Sequence, residues 1–262
     1  MEPGIEMIGK LLKPIYIGYE WALEREVKGK KKPDHIGVIM DGNRRLAERV
    51  GILPWEGHRM GAEKAEDVIE WCIELGIKTT TLYTFSMENF SRPKDELEPL
   101  FDLFEEYFKK LANDERIHKN KIKVKAIGRV ELLPERVRNA IKKAENATKD
   151  YDRFYINFAM AYGGRQEVVD AIKKIAKDVK EGKINLNVIN EKTVSENLYT
   201  NGAPDPDLLI RTSGEERISG FLLWQSAYSE LYFCESYWPG FRKIDFLRAI
   251  RTYQQRKRRY GK

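Results

Sequence analysis

The polar segment from Asp41 to Arg45 is the part of the chain whose residue types are best suited to chemistry. It follows the apolar stretch from His35 to Met40, which has the composition of a short buried strand. In open parallel α/β sheets, ligands bind beyond the carboxyl ends of the strands, where the next helix offers unpaired backbone N–H groups to an anion. The segment therefore predicts a site in which Asp41 holds a divalent cation and the next four residues cradle a phosphate group. Those four residues are Gly42, Asn43, Arg44 and Arg45.

The loop from Phe85 to Pro93 is a second candidate site, because it closes a predicted strand with polar side chains. Asn89 offers amide donors, and Arg92 offers a guanidinium group suited to bidentate phosphate binding. Ser86 marks the end of this strand, as Asp41 does for the first one. The alternative interpretation is ordinary loop capping, and the residues alone leave both open.

A third candidate site spans residues 207–219, where Arg211 and Arg217 stand six residues apart among hydroxyl side chains and a glycine-bearing turn. This pattern predicts a second clamp for a diphosphate. The carboxyl ends of parallel strands share one edge of a sheet, so we expect Asp41 and Arg211 to meet at one ligand. Glu230 is a single acid in the apolar stretch that follows, and burial would be costly without a cation or a donor. Metal ligation and pairing with an arginine are both open for it.

A glycine-flanked histidine, His58 in the segment from Gly57 to Gly61, precedes a helical pattern over Ala62–Leu75. A helix start binds anions, so His58 could donate to a phosphate oxygen; a structural hydrogen bond is the alternative. Arginines beyond several strand ends, together with two isolated acids, suit two phosphorylated ligands bridged by Mg²⁺, which prefers oxygen ligands. The apolar stripe from Leu97 to Leu111 could line a hydrophobic tunnel beside them, or pack in an ordinary core.

Strand and helix patterns alternate along the chain, which predicts an α/β fold with a central, mostly parallel sheet flanked by helices. The predicted strands are His35–Met40, Thr79–Phe85, Ile122–Ile127, Phe154–Met160, Asp207–Arg211 and Leu231–Cys234. The predicted helices are Ala62–Leu75, Leu97–Leu111, Pro134–Lys149, Gln166–Lys180 and Ile244–Arg259. No internal repeat or linker divides this pattern, so residues 33–262 are expected to form a single domain.

The net charge of +6 over 262 residues is concentrated at the C-terminus. Residues 241–262 contain nine Lys or Arg and one Asp, whereas the remainder has 38 basic and 40 acidic residues. The basic last helix is either a solvated face or a contact with an anionic surface. A nucleic-acid-binding module would need basic residues interleaved with stacking aromatic residues on one face, so no nucleic-acid partner is expected.

The first 32 residues mix apolar side chains with lysines, which predicts an N-terminal amphipathic arm over residues 1–32. Such an arm could rest on a membrane surface or pack on its own domain. No run approaches the roughly 18 apolar residues of a transmembrane helix. Neither cysteine belongs to a C-x-x-C motif, so a reduced compartment is indicated. We therefore expect a cytoplasmic protein. We add the hypothesis that the arm associates with a membrane surface.

From Pro33 onward the chain resembles the cis-prenyltransferases, the family of undecaprenyl and dehydrodolichyl diphosphate synthases. The D-D-x-x-D signature of the trans-type synthases is absent, as are the P-loop, G-x-G-x-x-G and G-x-S-x-G motifs. The segments that carry the resemblance are His35–Arg45, Gly57–Gly61, Leu82–Pro93, Tyr162–Arg165, Asp207–Glu215 and Arg217–Trp224.

The resemblance implies a homodimeric enzyme, dependent on Mg²⁺, that joins isopentenyl diphosphate repeatedly to an allylic diphosphate starter of C10 to C20. Each addition makes a new cis double bond, and the long polyprenyl diphosphate is expected to be the precursor of a glycosyl carrier lipid. The alternative is a non-catalytic partner subunit of a heteromeric cis-prenyltransferase. Such subunits typically lack the acid and the arginine clamp that are present here as Asp41, Arg211 and Arg217.

The resemblance also implies roles for individual residues. Asp41 is the expected magnesium ligand and essential acid, and Asn89 is expected beside the reacting carbons. The allylic diphosphate is expected at Gly42, Asn43, Arg44, Arg45, His58 and Arg92, with Ser86 added for its place at a strand end. Isopentenyl diphosphate is expected at Arg211, Arg217 and Ser219. Glu230 is expected to ligate Mg²⁺ from the partner subunit, and Arg259 and Gly261 to reach the neighbouring active site.

Overall fold

A computed structural model describes residues 3–256, with side chains from residue 16 onward. Its centre is one sheet of six strands, all parallel, in the order β3-β4-β2-β1-β5-β6. The strands are β1 His35–Ile39, β2 Thr79–Ser86, β3 Ile122–Ile127, β4 Phe154–Tyr162, β5 Leu208–Arg211 and β6 Glu230–Phe233. Every predicted strand is present, with starts within one residue of those predicted. The predicted α/β class with a parallel sheet is confirmed.

Nine α-helices flank the sheet in the part of the chain that the structure describes. They are α1 Pro3–Lys28, α2 Asn43–Val50, α3 Pro54–Leu75, α4 Lys94–Leu111, α5 Glu115–Lys119, α6 Glu135–Thr148, α7 Gly164–Lys180, α8 Glu191–Ser195 and α9 Lys243–Gln255. All five predicted helices are found among them. The short helix α2 was not predicted, and it begins directly after the polar turn at Asp41.

The prediction that Gly57 to Gly61 precede a helix was wrong, because these residues lie inside α3, which begins at Pro54. The two glycines instead allow α2 to approach α3. A Cβ atom at Gly57 would lie 2.5 Å from the Asn43 carbonyl oxygen, and one at Gly61 would lie 2.1 Å from Asn43 Oδ1. Close packing, not an anion-binding helix start, explains the pair, and it brings His58 toward the turn at Asp41.

Apolar side chains cover both faces of the sheet. The central strands β1 and β5 are buried along their whole length, as expected of parallel strands with helices on both sides. On one face, Val38 and Leu82 join the main core, which includes residues of α3, α4, α6 and α9. On the other face, Ile39 and Leu209 pack with Phe221 in a smaller cluster. The sheet is therefore a rigid platform whose carboxyl edge carries the predicted site.

The N-terminal arm forms helix α1, which packs on α9 through the buried side chains of Leu23 and Val27. Gln254 of α9 donates a hydrogen bond to the Val27 carbonyl oxygen at 3.0 Å. Ile17 and Trp21 are exposed on the helix. Across the described chain, none of the helices combines the length and the apolar character that crossing a membrane requires. The arm thus packs on its own domain, and its contact with a membrane surface stays a prediction.

Candidate active site

The structure brings Asp41, Ser86 and Arg211 to one edge of the sheet, because β1, β2 and β5 run parallel and end there. A cavity of about 1130 Å³ opens at this edge. Ten of the predicted site residues line it: Asp41, Asn43, Arg45, His58, Ser86, Asn89, Arg92, Arg211, Arg217 and Ser219. An adjoining cavity of about 730 Å³ is lined by several of the same residues together with Gly42 and Arg44.

Asp41 lies at the centre of this edge, held between two arginines. Its Oδ1 atom accepts a hydrogen bond from Arg45 Nη2 at 2.8 Å, and its Oδ2 atom accepts one from Arg211 Nη2 at 2.7 Å. Partial burial opposes ionisation, but the hydrogen bonds from Arg211 and Arg45 outweigh it and lower the pKa of Asp41. Asp41 is therefore a carboxylate at neutral pH, oriented by two fixed cations.

The backbone around Asp41 is equally constrained. Its carbonyl oxygen accepts hydrogen bonds from the Thr212 hydroxyl at 2.7 Å and from the Trp238 backbone N–H at 3.0 Å. Gly42 follows with a φ of 107°, and a Cβ atom there would lie 2.8 Å from the Tyr237 ring. Only glycine fits this left-handed, crowded position, which turns the chain from β1 into α2.

Arg211 is 5% exposed, and it fixes the loop that carries the second predicted clamp. Its Nη1 atom donates to Ser219 Oγ at 2.8 Å and to the Arg217 carbonyl oxygen at 2.5 Å. The guanidinium group of Arg217, in contrast, is exposed and pairs with Glu215. Arg211 is therefore the buried anchor of the clamp, and Arg217 is the part free to reach a ligand.

Three further residues complete the site: Ser213, one of the hydroxyl side chains of the predicted second clamp, and Glu215 and Glu96, to which the sequence reasoning gave no role. Ser213 Oγ accepts a hydrogen bond from Arg45 Nη2 at 2.7 Å, and Glu215 Oε1 accepts one from Arg45 Nη1 at 3.0 Å. Both lie inside the motif between Asp207 and Glu215, which was the available signal. Glu96, the third residue, is buried in the first turn of α4.

Glu96 contacts three basic side chains of the predicted allylic diphosphate site. Its Oε1 atom lies 3.2 Å from His58 Nε2, 3.1 Å from Arg92 Nη1 and 3.6 Å from Arg44 Nε. Burial, aided by the positive charge of Arg92, lowers the pKa of His58 despite the nearby carboxylate. His58 is therefore neutral at pH 7, with its Nε2 atom 3.2 Å from Glu96 Oε1 and 3.3 Å from Arg92 Nη1. The spacing of Arg92 and Glu96, four residues apart at a helix start, was the signal in the sequence.

The site has more arginines than carboxylates to neutralise them. Its ion pairs join five arginines to three acids in the described chain. The arginines are Arg44, Arg45, Arg92, Arg211 and Arg217, and the acids are Asp41, Glu96 and Glu215. The main cavity by itself is lined by four of these arginines and two of these acids, Asp41 and Glu215, and an excess of two positive charges in a concave site favours a polyanionic ligand.

Asn89 has features of both interpretations that the sequence left open, loop capping and ligand binding. Its Oδ1 atom accepts a hydrogen bond from the Ser86 backbone N–H at 3.0 Å, which is loop capping. The residue nevertheless lines the main cavity beside Arg92. Its amide nitrogen remains available to a ligand oxygen.

The structure does not bring Glu230 to Asp41 within this chain. Glu230 begins β6, next to Leu208 at the start of β5, whereas the site lies at the far end of both strands. Its Oε2 atom lies 2.6 Å from Arg256 Nη1, so pairing with an arginine is realised. Its role as a magnesium ligand from a partner subunit stays a prediction. Arg259 and Gly261 lie outside the described residues.

Asp41 is the carboxylate best placed to bind Mg²⁺ at this edge. Among the described residues, no three His, Cys, Asp or Glu side chains form a group that could hold a metal ion. Mg²⁺ is commonly bound by one or two carboxylates together with phosphate oxygens of the substrate, not by a cage of protein ligands. A single ionised carboxylate beside a polyanion site fits an ion that arrives with a diphosphate.

An apolar cavity of about 700 Å³ begins at the charged site and runs between α3 and α4. Asn43 and His58 line both cavities, so the charged and apolar spaces adjoin. Much of its wall comes from the stripe predicted in α4, including Leu100, Phe104 and Phe108. The stripe therefore lines a hydrophobic cavity and also contributes to the core.

Comparison with known proteins shows which family this chain is similar to. The sequence model of the prenyltransferase family described as "Putative undecaprenyl diphosphate synthase" matches residues 39–261. The tritrans,polycis-undecaprenyl-diphosphate synthase (geranylgeranyl-diphosphate specific) of Methanopyrus kandleri is 59% identical over 251 residues, covering 96% of this chain and 93% of that protein. The synthase of the same name from Methanocaldococcus jannaschii is 54% identical over 246 residues, covering 93% and 88%.

Solved structures agree with the sequence comparisons. The crystal structure of lavandulyl diphosphate synthase from Lavandula x intermedia, in complex with dimethylallyl diphosphate, superposes with a TM-score of 0.83. It is 35% identical in sequence, and the match covers 88% of this chain and 99% of that one. The chain therefore belongs to the undecaprenyl diphosphate synthase family of cis-prenyltransferases, and it is an enzyme that transfers prenyl groups.

Proposed function

We propose that this enzyme extends geranylgeranyl diphosphate with successive isopentenyl diphosphate units to a long polycis-prenyl diphosphate. The observation that carries the proposal is the junction of a positively charged cavity with an apolar one at His58 and Asn43. A prenyl diphosphate has the same two parts, a polyanionic head and an apolar tail. The names of the relatives support the starter and a product of eleven prenyl units. A C20 starter would then need seven additions.

The allylic diphosphate is assigned to the turn between β1 and α2. Gly42 and Asn43 offer backbone N–H groups at the start of α2, and Arg44 and Arg45 add two positive charges. Arg92, held by Glu96, faces the same cavity. When the allylic C–O bond breaks, negative charge accumulates on the departing diphosphate, and these fixed donors stabilise it. Mg²⁺, when bound, neutralises further charge on the same group.

Isopentenyl diphosphate is assigned to Arg217, Ser219 and Arg211. The anchor Arg211 holds this loop against Asp41, so the two diphosphates bind on opposite sides of one carboxylate. The double bond of the isopentenyl unit then attacks the allylic C1 atom, and a proton leaves as the new cis double bond forms. Holding both reactants in one orientation removes much of the entropic barrier to their reaction.

The proposal extends to assembly and location. A homodimer is supported by exposed apolar side chains at Val169 and Ile172 of α7, with Leu223 also exposed. In that dimer Glu230, Arg259 and Gly261 would act at the partner's site.

Contact with a membrane surface is supported by the exposed Trp21 and the lysines of the arm, and a polyprenyl product would serve there as a glycosyl carrier. Deleting residues 1–32 should reduce binding to anionic liposomes, and unchanged binding would exclude this contact.

The deciding experiment incubates the purified protein with radiolabelled isopentenyl diphosphate, Mg²⁺ and allylic starters of C10, C15 or C20. We expect long labelled products, with the C20 starter used best, that disappear with chelator and in the Asp41→Ala variant. Best use of a shorter starter would contradict the assigned substrate. No product with any starter would favour a non-catalytic partner subunit instead.

A further inference from the structure

The apolar cavity that starts at the active site leads to a second cavity of about 700 Å³ between α3, α4 and α5. Four residues line both cavities: Glu66, Ile69, Tyr107 and Leu111. Three of them are apolar or aromatic, as the wall of a hydrocarbon-binding cavity should be. Glu66 is the exception, a carboxylate at the boundary between two largely apolar spaces.

Two cations from neighbouring helices hold Glu66 in place. Its Oε1 atom accepts a hydrogen bond from Lys110 Nζ of α4, and its Oε2 atom lies 2.7 Å from Arg116 Nη2 of α5. Arg116 is itself oriented by Asp114, 2.7 Å away, and the Lys110 ammonium lies 5.4 Å from the centre of the Tyr107 ring. We call Glu66, Lys110 and Arg116 the latch, because together they join α3, α4 and α5 at the boundary.

An apolar chain meets an energetic obstacle at the latch. To pass the latch, the chain must either separate the Glu66 carboxylate from its two cations or pack hydrocarbon against the ion pairs. The first breaks ion pairs and the second removes water from charged groups, so both cost free energy. Loss of water, followed by the negative charge of Glu66, raises the pKa of the neighbouring Tyr107 to about 12. The Glu66 side chain is 20% exposed, whereas those of Lys110 and Arg116 are about half exposed, so the carboxylate is the member of the latch held away from water.

We propose that the Glu66–Lys110–Arg116 latch limits product length by opposing the passage of the growing prenyl tail from the first cavity into the second. In each condensation the allylic diphosphate leaves as inorganic diphosphate. The lengthened chain, which carries the diphosphate of the isopentenyl unit, then moves to the allylic site beside Asp41, and its tail advances by one prenyl unit. Each prenyl unit that passes Glu66 into the second cavity meets this obstacle, and opening the latch removes it. This inference rests on the proposed function and assigns its specificity to three residues outside the charged site.

The test compares product lengths of the wild type with those of Glu66→Ala and of the double variant Lys110→Ala/Arg116→Ala. Arg59→Ala is the matched control, because Arg59 of α3 pairs with Glu106 of α4 at 2.8 Å but lines neither cavity. We expect both latch variants to shift the main product upward by one or more prenyl units. The Arg59 variant should keep the wild-type distribution.

Each outcome bears on the latch directly. An unchanged or shortened distribution in Glu66→Ala would overturn it, as would an equal shift in Arg59→Ala, which would indicate general loosening of α3 against α4. Should Glu66→Ala fail to fold, Glu66→Gln keeps the shape and the hydrogen-bonding capacity but removes the charge, and it should give longer products as well. Absence of product from the wild type would overturn the proposed function together with the latch, whereas unchanged lengths overturn the latch alone.

Discussion

The two ends of the same parallel sheet carry polar residues that are organised in opposite ways. At the carboxyl end, Asp41 and Arg211 form charged pairs beside a cavity of about 1130 Å³. At the amino end, His35, Thr81 and Asn157 are buried and bonded to one another. His35 Nδ1 donates to the Pro204 carbonyl oxygen at 2.6 Å, and the Thr81 hydroxyl lies 2.8 Å from His35 Nε2 and 3.1 Å from Asn157 Nδ2.

The difference shows that polar residues near strand ends do not by themselves indicate a site. The amino-end cluster is neutral, and hydrogen bonds join its members to one another, although Asn157 also lines a cavity of about 1240 Å³ with Lys78, Lys123 and Lys125. The carboxyl-end cluster has an excess of positive charge, and several of its side chains face a cavity. Open space is present at both ends, and the carboxyl end differs in the ion pairs that fix Asp41, Arg45 and Arg211 beside its cavity.

The largest effect is expected from removing the charge of Asp41. Asp41→Asn keeps the side-chain volume but leaves Arg45 and Arg211 without their shared carboxylate. We expect kcat/KM to fall by about 10³-fold or more, or roughly 4 kcal/mol of transition-state stabilisation. Steady-state kinetics with both substrates measures this loss, and thermal unfolding of the variant checks that the fold persists. A loss below about tenfold would remove Asp41 from the centre of the mechanism.

The amino-end network should show its role in the pH dependence of stability. Burial lowers the pKa of His35 from 6.5 to about 4, so the folded protein keeps the ring neutral while the unfolded chain takes up a proton. The free energy of unfolding should therefore fall by about 3 kcal/mol as the pH falls from about 6.5 to about 4, and this contribution should not change further below that range.

Chemical denaturation of the wild type and of His35→Gln at several pH values measures this contribution. Glutamine can donate to Pro204 and accept from Thr81, but it does not titrate. The difference in the free energy of unfolding between the wild type and His35→Gln should narrow as the pH falls from about 6.5 to about 4. A constant difference from pH 7 to pH 4 would contradict a neutral, buried histidine.

Replacing the buried anchor of the clamp should have an intermediate effect. Arg211→Lys retains the charge but cannot bond Asp41 and Ser219 at the same time, because a lysine lacks the planar fork of an arginine. We expect a loss in kcat/KM of about 10²-fold, or roughly 2.7 kcal/mol, expressed mainly as a higher KM for isopentenyl diphosphate. Arg217→Lys, at an exposed position, should lower kcat/KM less than Arg211→Lys does. The opposite order would refute the assignment of Arg211 as the anchor.

The smallest effect is expected at Glu96, which competes with the substrate for Arg44, Arg92 and the neutral His58. Glu96→Gln removes this competing charge from His58 and Arg92. We expect the KM for the allylic diphosphate to fall about fivefold, about 1 kcal/mol, while the KM for isopentenyl diphosphate changes little. Glu98→Gln, on the exposed side of the same helix, is the control. A rise in both KM values would indicate that Glu96 only maintains the fold.

Sequence reasoning located the strands well because each is a short apolar stretch bounded by polar or glycine residues, as at His35 and Asp41. It located the start of α3 poorly, because glycines at Gly57 and Gly61 usually mark a helix boundary. Only the close approach of Asn43 in the folded protein explains why both lie inside the helix. It also left out Glu96, because two of its three partners, Arg44 and His58, lie in other segments of the chain.

The sequence by itself determined the parallel α/β class and the charged residues available at the strand ends, because alternating apolar and polar segments specify both without reference to distant residues. The tertiary structure decided which of those charged residues pair with one another. Asp41 is bonded by Arg211, 170 residues away, and Glu230 pairs with Arg256 instead of lying beside Asp41 in this chain. Such pairings depend on the register of parallel strands and on helix packing, and these are set by contacts throughout the folded protein.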